Sequence, residues 1–299
     1  MIDNNMFHIK FKDNDVLHEG IGFERLSCQE QQAYKVLLKG FLSMASSLDC
    51  SQINEHVDLT KVFYTVLGDN PSIIYFDKTR FEVEKSNYGK RIILADVYLI
   101  TQAKKMNLEL EETASKIVMF VKTASQDEYS LLIKLYEYLQ KNIRYDKDEL
   151  NASTRGISKN PASHNAYGAL VNSLAVCDGF SSAFALLAQK LGFECMVVVG
   201  RSLLNSTTLE NHAWNIIKIQ NKYYHMDITW DTLRFNQFSG FSYDYFALND
   251  EKMAYDHNWD KSATPACLYN DFSYYNIKSY MHRIRNFLKK IEKVFKKEP

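Results

Sequence analysis

The stretch FSSAFALLAQKLGFECMVVVG constrains this chain more than any other. Phe180, Phe184, Leu187 and Leu191 recur at helical spacing, and Gly192 stands where a helix closes with a left-handed residue. The run ECMVVVG follows at once, apolar without alternation, which predicts a central strand covered on both faces. An apolar helix feeding a doubly covered strand needs a sheet beside it. HAWNIIKI and KYYHMDIT supply further strands, joined by Gln220-Asn221 as a tight hairpin turn.

Upstream, Ser27 and Glu30 form a capping-box pattern ahead of Ala33, Val36, Leu37 and Phe41. A short helix from Leu59 to Leu67 is stopped by Gly68-Asp69-Asn70-Pro71. SIIYF from Ser72, RFEVE from Arg80 and RIILADVYLI from Arg91 read as three strands, and 101 to about 121 as a helix. Another helix starts at Asp127-Glu128 and runs to about Ile143, while the polar segment from Asp146 to Ser163 reads as an exposed loop. The division predicted is an α+β module over 1–125, a second domain over 126–275 and a C-terminal helix over 276–299. In that tail Ile284, Phe287, Leu288, Ile291, Val294 and Phe295 form one stripe among basic residues. Such a helix suits a partner or an anionic membrane surface, although docking of its apolar face on its own protein is the commoner use.

An apolar fraction of 46% and a charged fraction of 24% place the chain among folded globular proteins. Lys+Arg and Asp+Glu balance at 36 each, so no global field favours nucleic acid. The opening residues lack the apolar core of a signal peptide, and the five cysteines show no C-x-x-C pair, which predicts reduced thiols in a cytoplasm and no structural zinc. The motifs of nucleotide sites, of HExxH metalloproteases and of EF-hand calcium loops are missing, so neither a cofactor nor a metal is expected.

The chemistry that remains is that of a thiol. Cys177 falls at or just before the first turn of its helix, where unpaired N–H groups and the positive dipole end stabilise a thiolate. A lone cysteine at such a place is usually a small apolar residue. His212 and Asp227 raise its significance: about eight residues before and six after the hairpin turn, they come close on one face. Carboxylate, imidazole and thiol in that order make a candidate triad. A rival reading takes His212, His225 and Asp227 as metal ligands, with Cys177 as fourth ligand or bystander.

AVCDGFSSAFALL, NHAWNIIKI and KYYHMDITWD, with YGALVNS before them and YFALNDEKMAYDHNWDKSATPAC after, resemble the bacterial transglutaminase-like superfamily, whose layout is papain-like. The resemblance spans about 127–267. It implies an α+β core with the cysteine helix packed on an antiparallel sheet, Cys177 as nucleophile, His212 as base and acid, and Asp227 as orienting carboxylate. It further implies thiol-dependent acyl transfer at peptide or protein amide bonds through a thioester. Hydrolysis, as in a cysteine protease or amidase, is favoured over transamidation, because water is always present and an amine needs its own subsite. The oxyanion would be held by the Cys177 N–H and a second donor, with Tyr167 and Asn172 as candidates. Trp214 and Trp230 are expected in the core or the cleft wall in preference to touching substrate, and His257 and Trp259 to pack against the core. The alternative is a protein-binding scaffold that uses the same fold without catalysis.

Overall fold

The computed structural model describes residues 18–86, 89–95, 98–123, 127–203, 209–238 and 240–278. The amphipathic tail helix lies outside them. Among the described residues no helix is long and apolar enough to cross a membrane.

The first part is built on short helices. α1 (Ile21–Glu24) precedes α2 (Cys28–Leu42), whose capping box forms as expected: the Ser27 hydroxyl accepts from the Glu30 N–H, and the Glu30 carboxylate accepts from the Ser27 N–H. After β1 (Ser47–Asp49), α3 (Leu59–Asp69) is capped by the Asp58 carboxylate and ends before Pro71. β2 (Phe81–Ser86) and β3 (Gly89–Leu94) complete an antiparallel sheet of order β1-β3-β2. The run SIIYF is not a strand. Ile73, Ile74, Tyr75 and Phe76 are all buried, but Ile73, Tyr75 and Phe76 fill the core that holds Phe41 and Phe63, and Ile74 the core that holds Phe180 and Phe184, without a hydrogen-bonded neighbour strand. Burial of apolar side chains does not require a ladder.

α4 (Ile100–Thr123) extends the expected helix by a residue or two at each end. Its Met106, Leu110, Ala114, Ile117 and Val121 share one core with Leu132, Leu135, Phe180 and Phe184, so by packing this helix belongs with the elements C-terminal to it. α5 (Glu128–Asn142) is capped by Asp127 as the sequence suggests. β4 (Arg144–Tyr145) then leads into the segment expected to be an exposed loop, and here the structure differs. It contains α6 (Lys147–Ser153) and a 3-10 turn at Pro161–His164, and it buries Asp146, Glu149, Ser163 and His164. These polar side chains satisfy one another, which polarity alone does not reveal.

α7 (Ala166–Leu170) and β5 (Leu174–Ala175) precede α8 (Cys177–Lys190). Gly192, at φ +98°, closes α8: the Phe193 N–H reaches the Ala188 carbonyl and the Gly192 N–H the Gln189 carbonyl. β6 (Cys195–Ser202), β7 (Glu210–Ile219) and β8 (Lys222–Met226) follow, with α9 (Ile228–Phe238), β9 (Phe246–Leu248), α10 (Asp250–Met253) and β10 (His257–Asn258). The sheet has the order β10-β6-β7-β8-β9 and is antiparallel throughout. Gln220 and Asn221, both with positive φ, make the expected hairpin turn.

Alternation covers both faces of this sheet. Cys195, Val197 and Ile217 join the core that contains α8, while Met196, Val198, Trp214 and Ile216 belong to a second cluster with Trp230 and Trp259. The fold is thus α+β, with the cysteine helix against an antiparallel sheet.

Candidate active site

Cys177 is the first residue of α8 and is half-buried. No side chain caps that end of the helix, since Val176 occupies the N-cap position. The hairpin register explains how its partners meet. Asn215 pairs with Met226, so Asp227 leaves β8 level with Trp214, two residues from His212 on the same face. The His212 Nε2 lies 2.7 Å from Asp227 Oδ2. The Cys177 thiol is within hydrogen-bonding reach of the same imidazole, for which Nδ1 is the nitrogen left. Burial works against a charge on His212, but Asp227 first and Cys177 second outweigh it, and the group is pushed up to about 9.

Asp227 is fully buried and completely engaged. Its Oδ1 accepts the N–H groups of Thr229 and Trp230 at the start of α9, at 3.0 and 3.1 Å. Its Oδ2 also receives His257 Nε2 at 3.2 Å, and His257 Nδ1 lies 2.6 Å from Asp256 Oδ1. Burial alone would raise this carboxyl; His212 and His257 instead hold it well below the usual carboxylate range. For His257 burial likewise opposes the charge, and Asp227 and Asp256 raise the group above its ordinary value. Sequence reasoning assigned His257 to packing. Only the Asp-His pair at 256–257 hinted otherwise, and the pairing of β10 with β6 is what brings it to Asp227.

Trp214 and Trp230 lie in the core beside the imidazole, and Tyr167 and Asn172 lie away from the thiol. Trp214 is fully buried and Trp230 nearly so, leaving them no surface for a substrate; their rings flank His212 at 6.0 and 5.6 Å between centroids. The Tyr167 hydroxyl donates to Glu109 Oε2 at 2.5 Å, and Asn172 lines the same cleft of about 380 Å³, which none of Cys177, His212 or Asp227 lines. α4 therefore takes up the Tyr167 hydroxyl, and Asn172 lies on the cleft beside it. Tyr145 was not singled out in the sequence: its ring stacks on Phe180 of the cysteine helix, and its phenol is raised by burial and then by the charges of Cys177, Asp178, Asp227 and Glu210.

The rival metal set of His212, His225 and Asp227 does not assemble. His225 Nε2 turns to Asp250 Oδ1 at 2.9 Å, and its Nδ1 accepts from the Trp214 indole at 3.0 Å. An indole only donates, so Nδ1 carries the lone pair and Nε2 the proton, and no ring nitrogen is left for an ion. This also weakens the neighbouring group His225, Asp250 and Cys267, whose ligand atoms lie within 4.8 Å of one another. In the similar group His212, Asp227 and His257, each ring nitrogen at Asp227 sits at hydrogen-bond distance with a proton between. Three buried thiols lie away from this site: burial pushes Cys50 up to about 11 and raises Cys195 and Cys267 further.

Residues 116–228 match the model of the transglutaminase-like superfamily. Cys177, His212 and Asp227 all lie inside this transglutaminase-like segment, which also takes in most of the three sequence blocks that carry the resemblance. No curated protein matches the chain. Among solved structures, a crystal structure of a TGase is similar at 16% identity and a TM-score of 0.36, covering 50% of this chain and 44% of that one. A proposed cysteine protease from Cytophaga hutchinsonii is similar at 12% identity and a TM-score of 0.30, covering 50% and 61%. The chain thus spans about half the length of the solved structures it matches.

Proposed function

We propose that this protein is a thiol-dependent acyl hydrolase or transferase acting on peptide or protein amide bonds, with Cys177 as nucleophile, His212 as acid and base, and Asp227 as the carboxylate that orients it. The observation that carries this reading is one continuous chain: a half-buried thiol at a helix start, an imidazole within reach of it, and a buried carboxylate 2.7 Å from the far nitrogen. With His212 pushed up to about 9, the imidazolium is the favoured form at neutral pH, the partner a thiolate needs.

The sulfur attacks the amide carbon, and the carbonyl oxygen becomes an oxyanion against the Cys177 N–H, with the Tyr145 phenol as the second donor. His212 passes its proton to the leaving nitrogen as the C–N bond breaks, leaving a thioester. Water then attacks, giving one proton to His212, and the released thiolate restores the starting pair. An amine in place of water would give transamidation by the same steps. Hydrolysis is our preferred outcome, because it needs no second subsite.

The test is iodoacetamide labelling of each cysteine, read by peptide mass spectrometry from about pH 5 to 9, with His212→Ala alongside. Cys177 is expected to label near pH 6 faster than the exposed Cys28, and to slow in the variant. Labelling of Cys177 no faster than Cys28, and indifferent to His212→Ala, would favour the scaffold reading instead.

A further inference from the structure

The segment from Asp146 to His164 forms a bed beneath the first turn of α8. Asp146 Oδ2 accepts from the Ser163 hydroxyl at 2.7 Å and from Asn160 Nδ2 at 3.1 Å. The Ser163 carbonyl accepts the Val176 N–H at 3.0 Å, and a Cβ at position 179 would meet that same oxygen at 2.2 Å. Only glycine lets the 3-10 turn and the helix approach so closely.

On this bed the buried His164 stands between two carboxylates. Its Nδ1 lies 2.9 Å from Asp178 Oδ2, and its Nε2 lies 3.1 Å from Glu149 Oε1. Glu149 is itself held by the Ser158 hydroxyl and the N–H groups of Lys159 and Asn160, at 2.7, 2.8 and 2.6 Å. A carboxylate only accepts, so both ring nitrogens donate and the ring carries a positive charge. Burial opposes that charge, but Asp178 and Glu149 outweigh it and push His164 up to about 9. Asp178 is the neighbour of Cys177 in the first turn of α8. Without the imidazolium, two carboxylates would set uncompensated negative charge beside the place where a thiolate must form.

We propose that His164 is a positioning residue for Cys177: clamped between Glu149 and Asp178, its imidazolium fixes the first turn of α8 and offsets carboxylate charge beside the thiol. The inference rests on Cys177 being the nucleophile. Other ionisable groups face this turn from each side. Lys78 and Tyr64 act on Asp178 from the N-terminal part without hydrogen-bonding to it, Tyr145 of β4 acts on both Cys177 and Asp178, His212 acts on Cys177 from the sheet with Asp227 behind it, and Asp146 lies under Ser163. Of the cations, His164 alone is hydrogen-bonded to Asp178 among the described residues.

The test measures the pH dependence of Cys177 labelling in wild type, His164→Gln, Asp178→Asn and the double variant, with thermal melts beside it. His164→Gln is expected to shift the half-labelling pH upward by about one unit, a roughly tenfold slower reaction near pH 6. Asp178→Asn is expected to shift it downward, and the double variant to return most of the way, since it removes one charge of each sign. A His164→Gln protein that melts lower but labels like wild type overturns the proposal, as does a double variant that is not rescued. If His164→Gln does not fold, Asp178→Asn decides by itself, and an unchanged profile there overturns the proposal. Wild-type Cys177 labelling no faster than Cys28 removes the nucleophile reading and this inference together, whereas a fast wild type with an unchanged His164→Gln removes the inference alone.

Discussion

Asp69 and Asp227 are the same residue in nearly the same circumstances, and they behave in opposite ways. Both are fully buried, and both accept two N–H groups at the start of a helix: Asp69 from Gly22 and Phe23 of α1, Asp227 from Thr229 and Trp230 near the start of α9. They differ in the remaining partners. Asp69 meets a neutral phenol, that of Tyr34 at 3.1 Å, whereas Asp227 meets two imidazoles. Burial therefore drives Asp69 up to about 6, while at Asp227 the imidazoles outweigh burial and hold the group low. Burial and backbone capping make a clasp; ionisable partners turn the same clasp into a site that stores charge.

Asp227→Asn should break that contrast most severely. The amide keeps the shape but leaves the buried His212 imidazole without its anion and His257 with Asp256 alone. Cys177 labelling near pH 6 is expected to fall by about a hundredfold or more, by analogy with the loss of the orienting carboxylate in other triads. Urea unfolding should register a loss of about 3–5 kcal/mol, the scale of a buried ion pair deprived of one partner. Wild-type labelling in this variant would make Asp227 a structural clasp of the Asp69 kind.

Asp69→Asn probes the other half, with a pH signature instead of a reactivity one. The folded carboxyl titrates at about 6, above its unfolded value of roughly 3.9, so the fold favours the protonated form. That contribution is whole below about pH 4 and is lost as pH rises through 6. The Asn variant lacks it at every pH. The stability of wild type relative to Asp69→Asn should therefore fall by about 2–3 kcal/mol between pH 4 and 7 in urea titrations. Cys177 labelling should not change. A difference that stays flat with pH would show that folding leaves the Asp69 titration where the unfolded chain has it.

The contrast also marks where the sequence was readable. Signals confined to a few adjacent residues survived: the Ser27–Glu30 box, the closing Gly192 and the turn at Gln220-Asn221. The approach of His212 to Asp227 was legible because one hairpin register fixes both. His257 was not, because it reaches Asp227 from β10, which pairs with β6 across the whole intervening hairpin. Residues 146–163 misled for a related reason. Asp146, Glu149, Ser163 and His164 look like solvent-facing polar residues until non-local partners satisfy them. SIIYF misled in the opposite sense, since its apolar side chains found a core without finding a strand.

The finest cut through the comparison is His257→Gln. A glutamine amide can still donate to Asp227 but brings no charge, so Asp227 would keep one charged partner and gain a neutral one, part of the way towards Asp69. The His212 ring lies 5.4 Å from the His257 ring, centroid to centroid, and two imidazoliums at that distance repel. Removing one should let His212 hold its proton to higher pH. The expected change is an upward shift of the His212 titration by less than about one unit, followed through its ring protons by NMR. A downward shift would mean that His257 acts on His212 by aiming the Asp227 carboxylate, with charge repulsion the weaker effect.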